Sequence, residues 1–94
     1  MARIAWSPAA RDDLKQIVSN IRADAPAYSR SFALRLNQRL TQLETFPDSG
    51  RSVPEDRTQT YRELIFGNYR IIYRHSEGLV TIITVIHGAR ILRL

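Results

Sequence analysis

Cysteine is absent from the 94-residue chain, which excludes disulfides and thiolate metal sites and fits a reducing compartment. Lysine occurs once, at Lys15, so arginine carries nearly all of the positive charge. There is no proline-, glycine- or serine-rich tract, no low-complexity segment and no internal repeat, which argues against a linker, a disordered tail or a repeat array. No apolar run approaches the ~20 residues that span a bilayer. The opening MARIAWSPAARDD also lacks the continuous apolar stretch of a secretory signal, so a cytoplasmic location and no membrane partner are expected.

What is present is the composition of a folded globular chain, 44% hydrophobic and 24% charged. Its length leaves room for a single domain, taken as 1–94, with one modest core. The net charge is +5 and the pI about 10.4. Arginine suits planar, two-point contact with phosphates and carboxylates, so an acidic partner is expected, nucleic acid or protein.

The chain is organised around Tyr61 to Arg90, YRELIFGNYRIIYRHSEGLVTIITVIHGAR, where apolar runs are broken at Gly67-Asn68 and at Ser76-Glu77-Gly78. That pattern predicts three antiparallel strands joined by tight hairpins. Arg62, Arg70, Arg74 and His87 lie among β-branched and aromatic residues, where an unpaired buried cation is costly, so they are expected to emerge on an open sheet face. With Phe66 opposite Tyr69, period-2 alternation gives Arg62, Leu64, Phe66, Tyr69, Ile71 and Tyr73 to the core face. Tyr61, Glu63, Ile65, Arg70, Ile72 and Arg74 fall on the other, with Arg62 leaving the core by snorkelling at its strand start. A turn on Glu77-Gly78 places Thr81, Ile83, Val85 and His87 with Arg70; a three-residue loop reverses that, and the sequence leaves the choice open.

Upstream, Ala2 to Trp6 reads as a short strand that must pair with this sheet. Ser7-Pro8 then caps a helix whose apolar stripe is Ala10, Leu14, Ile17, Val18 and Ile21. Pro26 ends it, and a second helix runs to about Thr45 with Tyr28, Phe32, Leu36, Leu40 and Leu43 as its stripe and Ala33 alongside. The short connection makes the helices an antiparallel pair whose apolar surface the sheet must cover. Arg30, Arg35 and Arg39 read as a solvated helix face. Phe46 to Thr60 reads as a long loop in which Arg51 and Glu55-Asp56-Arg57 form surface ion pairs or part of a site.

Several stretches together resemble one family. Tyr61-Arg62-Glu63-Leu64, Tyr69-Arg70-Ile71-Ile72-Tyr73-Arg74 and Val85-Ile86-His87-Gly88-Ala89-Arg90 resemble the RelE/ParE superfamily of bacterial type II toxins. Trp6, Ala10 and Asp13-Leu14 match its opening, and Pro47 with Gly50-Arg51 its loop after the second helix. The resemblance implies an α+β fold in the order β-α-α-β-β-β, a mostly antiparallel four-stranded sheet with a helical hairpin on one face. It also implies a cognate antitoxin that binds and neutralises the chain in a hetero-oligomer, without cofactor or metal.

Two activities compete within that superfamily. The ParE-like branch poisons DNA gyrase by protein–protein contact; the RelE-like branch is a metal-independent endoribonuclease that cuts mRNA on the ribosome. In the nuclease case Arg62, Arg70 and His87 are the catalytic candidates, with basic groups around the scissile phosphate. However, Leu64 stands where a second basic strand residue is expected, and no tyrosine or histidine follows Gly88. The two long helices and the HGAR ending look more like the ParE branch. The partner-binding candidates are Tyr61, Glu63, Arg70, Arg74 and Arg90. Each charged residue also has a plainer reading: Arg70 as an ion pair with Glu63, and His87 as a hydrogen-bond partner of the adjoining turn.

Overall fold

A computed structural model describes residues 1–92. The elements follow in the order β1 (Arg3–Trp6), α1 (Pro8–Asp24), α2 (Pro26–Thr45), β2 (Arg51–Ser52), β3 (Arg62–Phe66), β4 (Tyr69–Ser76) and β5 (Leu79–His87). They build one sheet in the order β1-β5-β4-β3-β2, in which only β1 and β5 run parallel. The α+β fold with a helical hairpin on one face is as expected, but the sheet has five strands. The additional one, β2, is two residues inside the segment read as loop, with Arg51 opposite Glu63 and Ser52 opposite Arg62. Two residues carry no alternation; this strand forms because the neighbouring chain is tied to the sheet.

Local chemistry accounts for the helices. Ser7, with extended backbone, accepts a hydrogen bond from the Ala10 amide at 3.0 Å and starts α1. Ala25, with φ −150° and ψ 78°, ends α1 and opens α2, because the following Pro26 disfavours helical geometry there. Phe32, Leu36, Leu40 and Leu43 of α2 are buried with Ala10, Leu64, Ile71, Tyr73, Val80, Ile82 and Val85, and α1's Leu14, Ile17, Val18 and Ile21 pack against that cluster. Tyr28 and Ala33 depart from the predicted stripe. Tyr28 is 48% exposed, Ala33 is exposed, and Ser29 is buried instead, its hydroxyl donating to the Pro26 carbonyl at 2.7 Å.

Both hairpins turn where the sequence breaks. Phe66 faces Tyr69 across Gly67-Asn68, with Gly67 at φ +56°. Ser76 faces Leu79 across Glu77-Gly78, both at positive φ, the pattern of a type I′ turn. From that two-residue turn alone, His87 was expected on the Arg70 side. It is not there, because β5 carries a bulge: Tyr73 pairs with Ile82 and Ile72 with Thr84, which leaves Ile83 unpaired. The extra residue reverses the alternation beyond it. Val85 therefore faces Ile71 and His87 faces Tyr69, on the helix side of the sheet.

Side chains distant in sequence hold that bulge. The Ser7 hydroxyl, already capping α1, donates to the Ile83 carbonyl at 2.8 Å. Asp13 of α1 accepts from the Thr84 hydroxyl at 2.6 Å and from the Val85 amide at 3.1 Å. Two backbone groups at the bulge, the Ile83 carbonyl and the Val85 amide, thereby have side-chain partners.

Candidate functional site

The sheet face away from the helices is not the open basic surface that the sequence predicts. Glu63 is 1% exposed, Arg70 6% and Ile72 0%, so something covers them. The cover is the chain around Glu55 together with the tail at Arg90–Leu92, and Arg70 is the point where they meet. Its Nε donates to Glu63 Oε2 at 2.9 Å and its Nη2 to Glu63 Oε1 at 3.1 Å. On the outer edge, Nη1 and Nη2 donate to the two oxygens of Glu55 at 2.8 and 2.7 Å. Nη1 also donates to the Arg90 carbonyl at 3.3 Å, and the Leu92 amide donates to Glu55 Oε2 at 2.8 Å. Every N–H of the guanidinium thus has an acceptor, which is what makes a buried cation tolerable.

The electrostatics follow from this geometry. Hydrogen bonds from Arg70 first, and from the Leu92 amide second, hold the Glu55 carboxyl down at about 2. Reciprocally, Glu55 and then Glu63 push the Arg70 guanidinium further up, and burial opposes them without prevailing. The two carboxylates are not equivalent. The Glu63 side chain has no exposure, whereas that of Glu55, carried on the connection between α2 and β3, is 23% exposed.

That connection is ordered by one carboxylate and one glycine. Asp56 accepts from the Thr58 amide and hydroxyl at 3.0 and 2.5 Å and from the Thr60 and Tyr61 amides, both at 2.8 Å. These bonds, the Thr58 hydroxyl foremost, pull its carboxyl below the usual range. The Gly50 amide donates at 2.9 Å to the buried hydroxyl of Tyr73, whose own acidity burial suppresses. A Cβ on Gly50 would stand 2.6 Å from that oxygen and 2.7 Å from the Glu63 carbonyl, so no other residue fits there.

The remaining sequence-predicted residues are dispersed. Arg62 lies at the start of β3 on the helix side, as the alternation requires, and turns outward to donate to the Gly50 carbonyl at 3.0 Å, with Asp48 at 3.8 Å. His87 is exposed; its ring stacks edge-on against Tyr69 at 5.7 Å, and its Nδ1 accepts from the Ala89 amide at 3.3 Å. Arg74 and Arg90 are exposed and Tyr61 is half-buried. Arg62, Arg70 and His87 are therefore not gathered on one face, and Arg70 does not emerge on an open one. Glu55, legible in the sequence as either a surface ion pair or part of a site, is the residue that meets the outer edge of Arg70. Its only signal was a pair of adjacent acids in a basic chain. Asp56 carried a clearer one, since Asp-x-Thr is a turn-forming pattern.

Beside Arg70 an open cleft of about 430 Å³ is lined by Arg51, Pro54, Ile65, His87 and Gly88 among others. Among the described residues, no cluster of three or more His, Cys, Asp or Glu side chains is placed to hold a metal ion, and no helix is long and apolar enough to cross a membrane.

The family described as the ParE toxin of the type II toxin–antitoxin system parDE matches residues 4–92. The protein called Toxin RelE2 of Caulobacter vibrioides is 35% identical over 92 residues, covering 97% of this chain and all of that one. Among solved structures, the chromosomal ParDE system of P. aeruginosa superposes with a TM-score of 0.77 at 16% identity, covering 93% of this chain and 96% of the other. The RelBE2 toxin–antitoxin complex of Mycobacterium tuberculosis superposes with a TM-score of 0.60 at 19% identity, covering 92% and 96%. At those identities the two structures speak for the fold, while the family match and the Caulobacter relative speak for descent. The chain belongs to the ParE toxin family, within the RelE/ParE superfamily of type II toxin–antitoxin toxins.

Proposed function

We propose that this toxin inhibits growth by poisoning DNA gyrase through a protein–protein contact, and that a cognate antitoxin neutralises it in a hetero-oligomer. The observation that carries the reading is the state of Arg70, with all its donors turned to Glu55, Glu63 and the Arg90 carbonyl. A nuclease needs cationic donors free to meet a developing phosphorane charge; here the inner edge of Arg70 is committed to buried Glu63, and its outer edge is occupied by Glu55 unless another anion displaces it. Arg62 lies on the opposite side of the sheet from Arg70 and outside the cleft that Arg70 and His87 both line, which weighs against a centre built from all three. In this reading the exposed Arg74 and Arg90, with Tyr61, contribute to partner binding, and Glu63 and Arg70 support that surface from beneath.

The second reading, a ribosome-dependent endoribonuclease acting on mRNA, draws support from the Caulobacter relative's name, RelE2. Inducing the toxin in a bacterial host without its antitoxin separates the two. Trapped gyrase cleavage complexes and a DNA-damage response are expected; rapid codon-dependent mRNA cleavage with gyrase intact overturns the proposal. The Arg62→Ala and His87→Ala variants are expected to remain toxic, whereas a folded His87→Ala protein that has lost toxicity favours the nuclease.

A further inference from the structure

We infer that Glu55 is a built-in competitor at an anion site whose other half is Arg70, and that the ligand it stands in for is a carboxylate presented by an extended acidic peptide. The inference rests on the geometry of Arg70 and holds for either target. Arg70 has an inner and an outer edge. The inner edge is fixed on Glu63, a fully buried neighbour across the β3–β4 pair. The outer edge meets Glu55, which is partly exposed and sits on an irregular connection. A planar, two-point arginine–carboxylate contact is strong and specific, and Glu55 is the partner that can leave without dismantling the sheet.

What lies around the outer edge describes the ligand. The donors open to it are the two guanidinium N–H groups now paired with Glu55, while the Leu92 amide is held by Glu55 itself and goes unpaired when Glu55 leaves. A stretch of peptide already lies across the site: the Arg90 carbonyl accepts from Nη1 while Leu92 donates to Glu55. The adjoining cleft offers Arg51 for a further acid and Ile65 and Pro54 for apolar side chains. Ile65 is 43% exposed in this state. An extended segment with a glutamate or aspartate beside an apolar residue fits that lining. A nucleic acid fits it less well, because the aromatic rings in the lining are Tyr69 and His87 alone, set edge to face, which is no ladder for successive bases. When such a carboxylate takes the outer edge, Glu55 swings to water and the Arg90–Leu92 tail loses its anchor, so partner binding is coupled to release of the tail.

The test is a titration of ¹⁵N-labelled protein with a capped oligoglutamate peptide, reading the Arg70 Nε–Hε and Leu92 amide resonances. A short RNA serves as the comparison ligand. Saturable shifts are expected, with the Glu55→Ala variant binding the peptide at least ~10-fold more tightly than the wild type and Arg30→Ala, exposed on α2, binding like the wild type. Glu55→Gln keeps the bulk of the side chain and is expected to fall between the two, which keeps the test decisive if Glu55→Ala does not fold. In the wild type itself, peptide binding must speed exchange of the Leu92 amide. Equal affinity in wild type and Glu55 variants, tighter binding of RNA than of peptide, or peptide bound with Leu92 undisturbed each overturns the inference.

Discussion

Replacing Arg70 with methionine removes the cation but keeps a long, apolar side chain in its place. Glu63 is then left with a carboxylate of no side-chain exposure, and its remaining cationic neighbour is Arg51, 3.5 Å away and 62% exposed. Deleting one partner of a buried ion pair costs about 3–5 kcal/mol, because the other charge stays desolvated. The total stability of a domain is roughly 5–15 kcal/mol, so most of it is at stake. For a chain of this size the loss corresponds to a fall in Tm of ~12 °C or more. Glu55 contributes less to the penalty, since at 23% exposure it can turn to water. The Glu63→Met, Arg70→Met double variant removes both buried charges and is expected to recover most of the loss. Urea denaturation at pH 7 followed by circular dichroism measures all three proteins, with Arg74→Ala as an exposed control. A single Arg70→Met variant within about 0.5 kcal/mol of wild type refutes the assignment of Arg70 as a buried hub. Growth inhibition that returns in the double variant marks the guanidinium as structural for toxicity.

Four further outcomes follow from the same contacts. The Glu55 carboxyl is held at about 2 against an ordinary 4.5, so its contribution is complete above pH 4.5 and disappears as pH falls toward 2. Acid denaturation should accordingly show a loss of up to about 3 kcal/mol across that window, reduced by salt and absent from Glu55→Gln. Gly50→Ala drives a methyl against the Tyr73 hydroxyl and the Glu63 carbonyl and disturbs a hydrogen bond, which should destabilise by ~2–4 kcal/mol in chemical unfolding. Glu77 adopts φ +51° in its turn, so Glu77→Asn, which creates the favoured Asn-Gly pair, should stabilise by ~0.5–1 kcal/mol in the same assay. Asp13→Ala leaves the Val85 amide and the Thr84 hydroxyl without their acceptor and should lose ~1–3 kcal/mol, with faster hydrogen exchange at Val85 and a weakened Tyr69–His87 ring contact by NMR.

The sequence by itself determined both helices and four of the five strands. Ser7-Pro8 and Pro26 delimit α1, the leucine stripe of α2 faces the core, Gly67-Asn68 and Glu77-Gly78 turn the hairpins, and strict alternation gives β3 and β4 their two faces. These features were legible because side-chain period, capping and positive φ act over a few residues. Tertiary structure decided the rest. His87 stands with Tyr69 because of a bulge at Ile83, held by Ser7 and Asp13 from 76 and 71 positions away in the chain. Arg70 is buried because Glu55, 15 positions upstream, reaches its outer edge and the tail closes over both. Neither outcome has a local signature: an insertion in one strand reverses every later side chain, and a charge becomes buriable only when a distant carboxylate arrives to meet it.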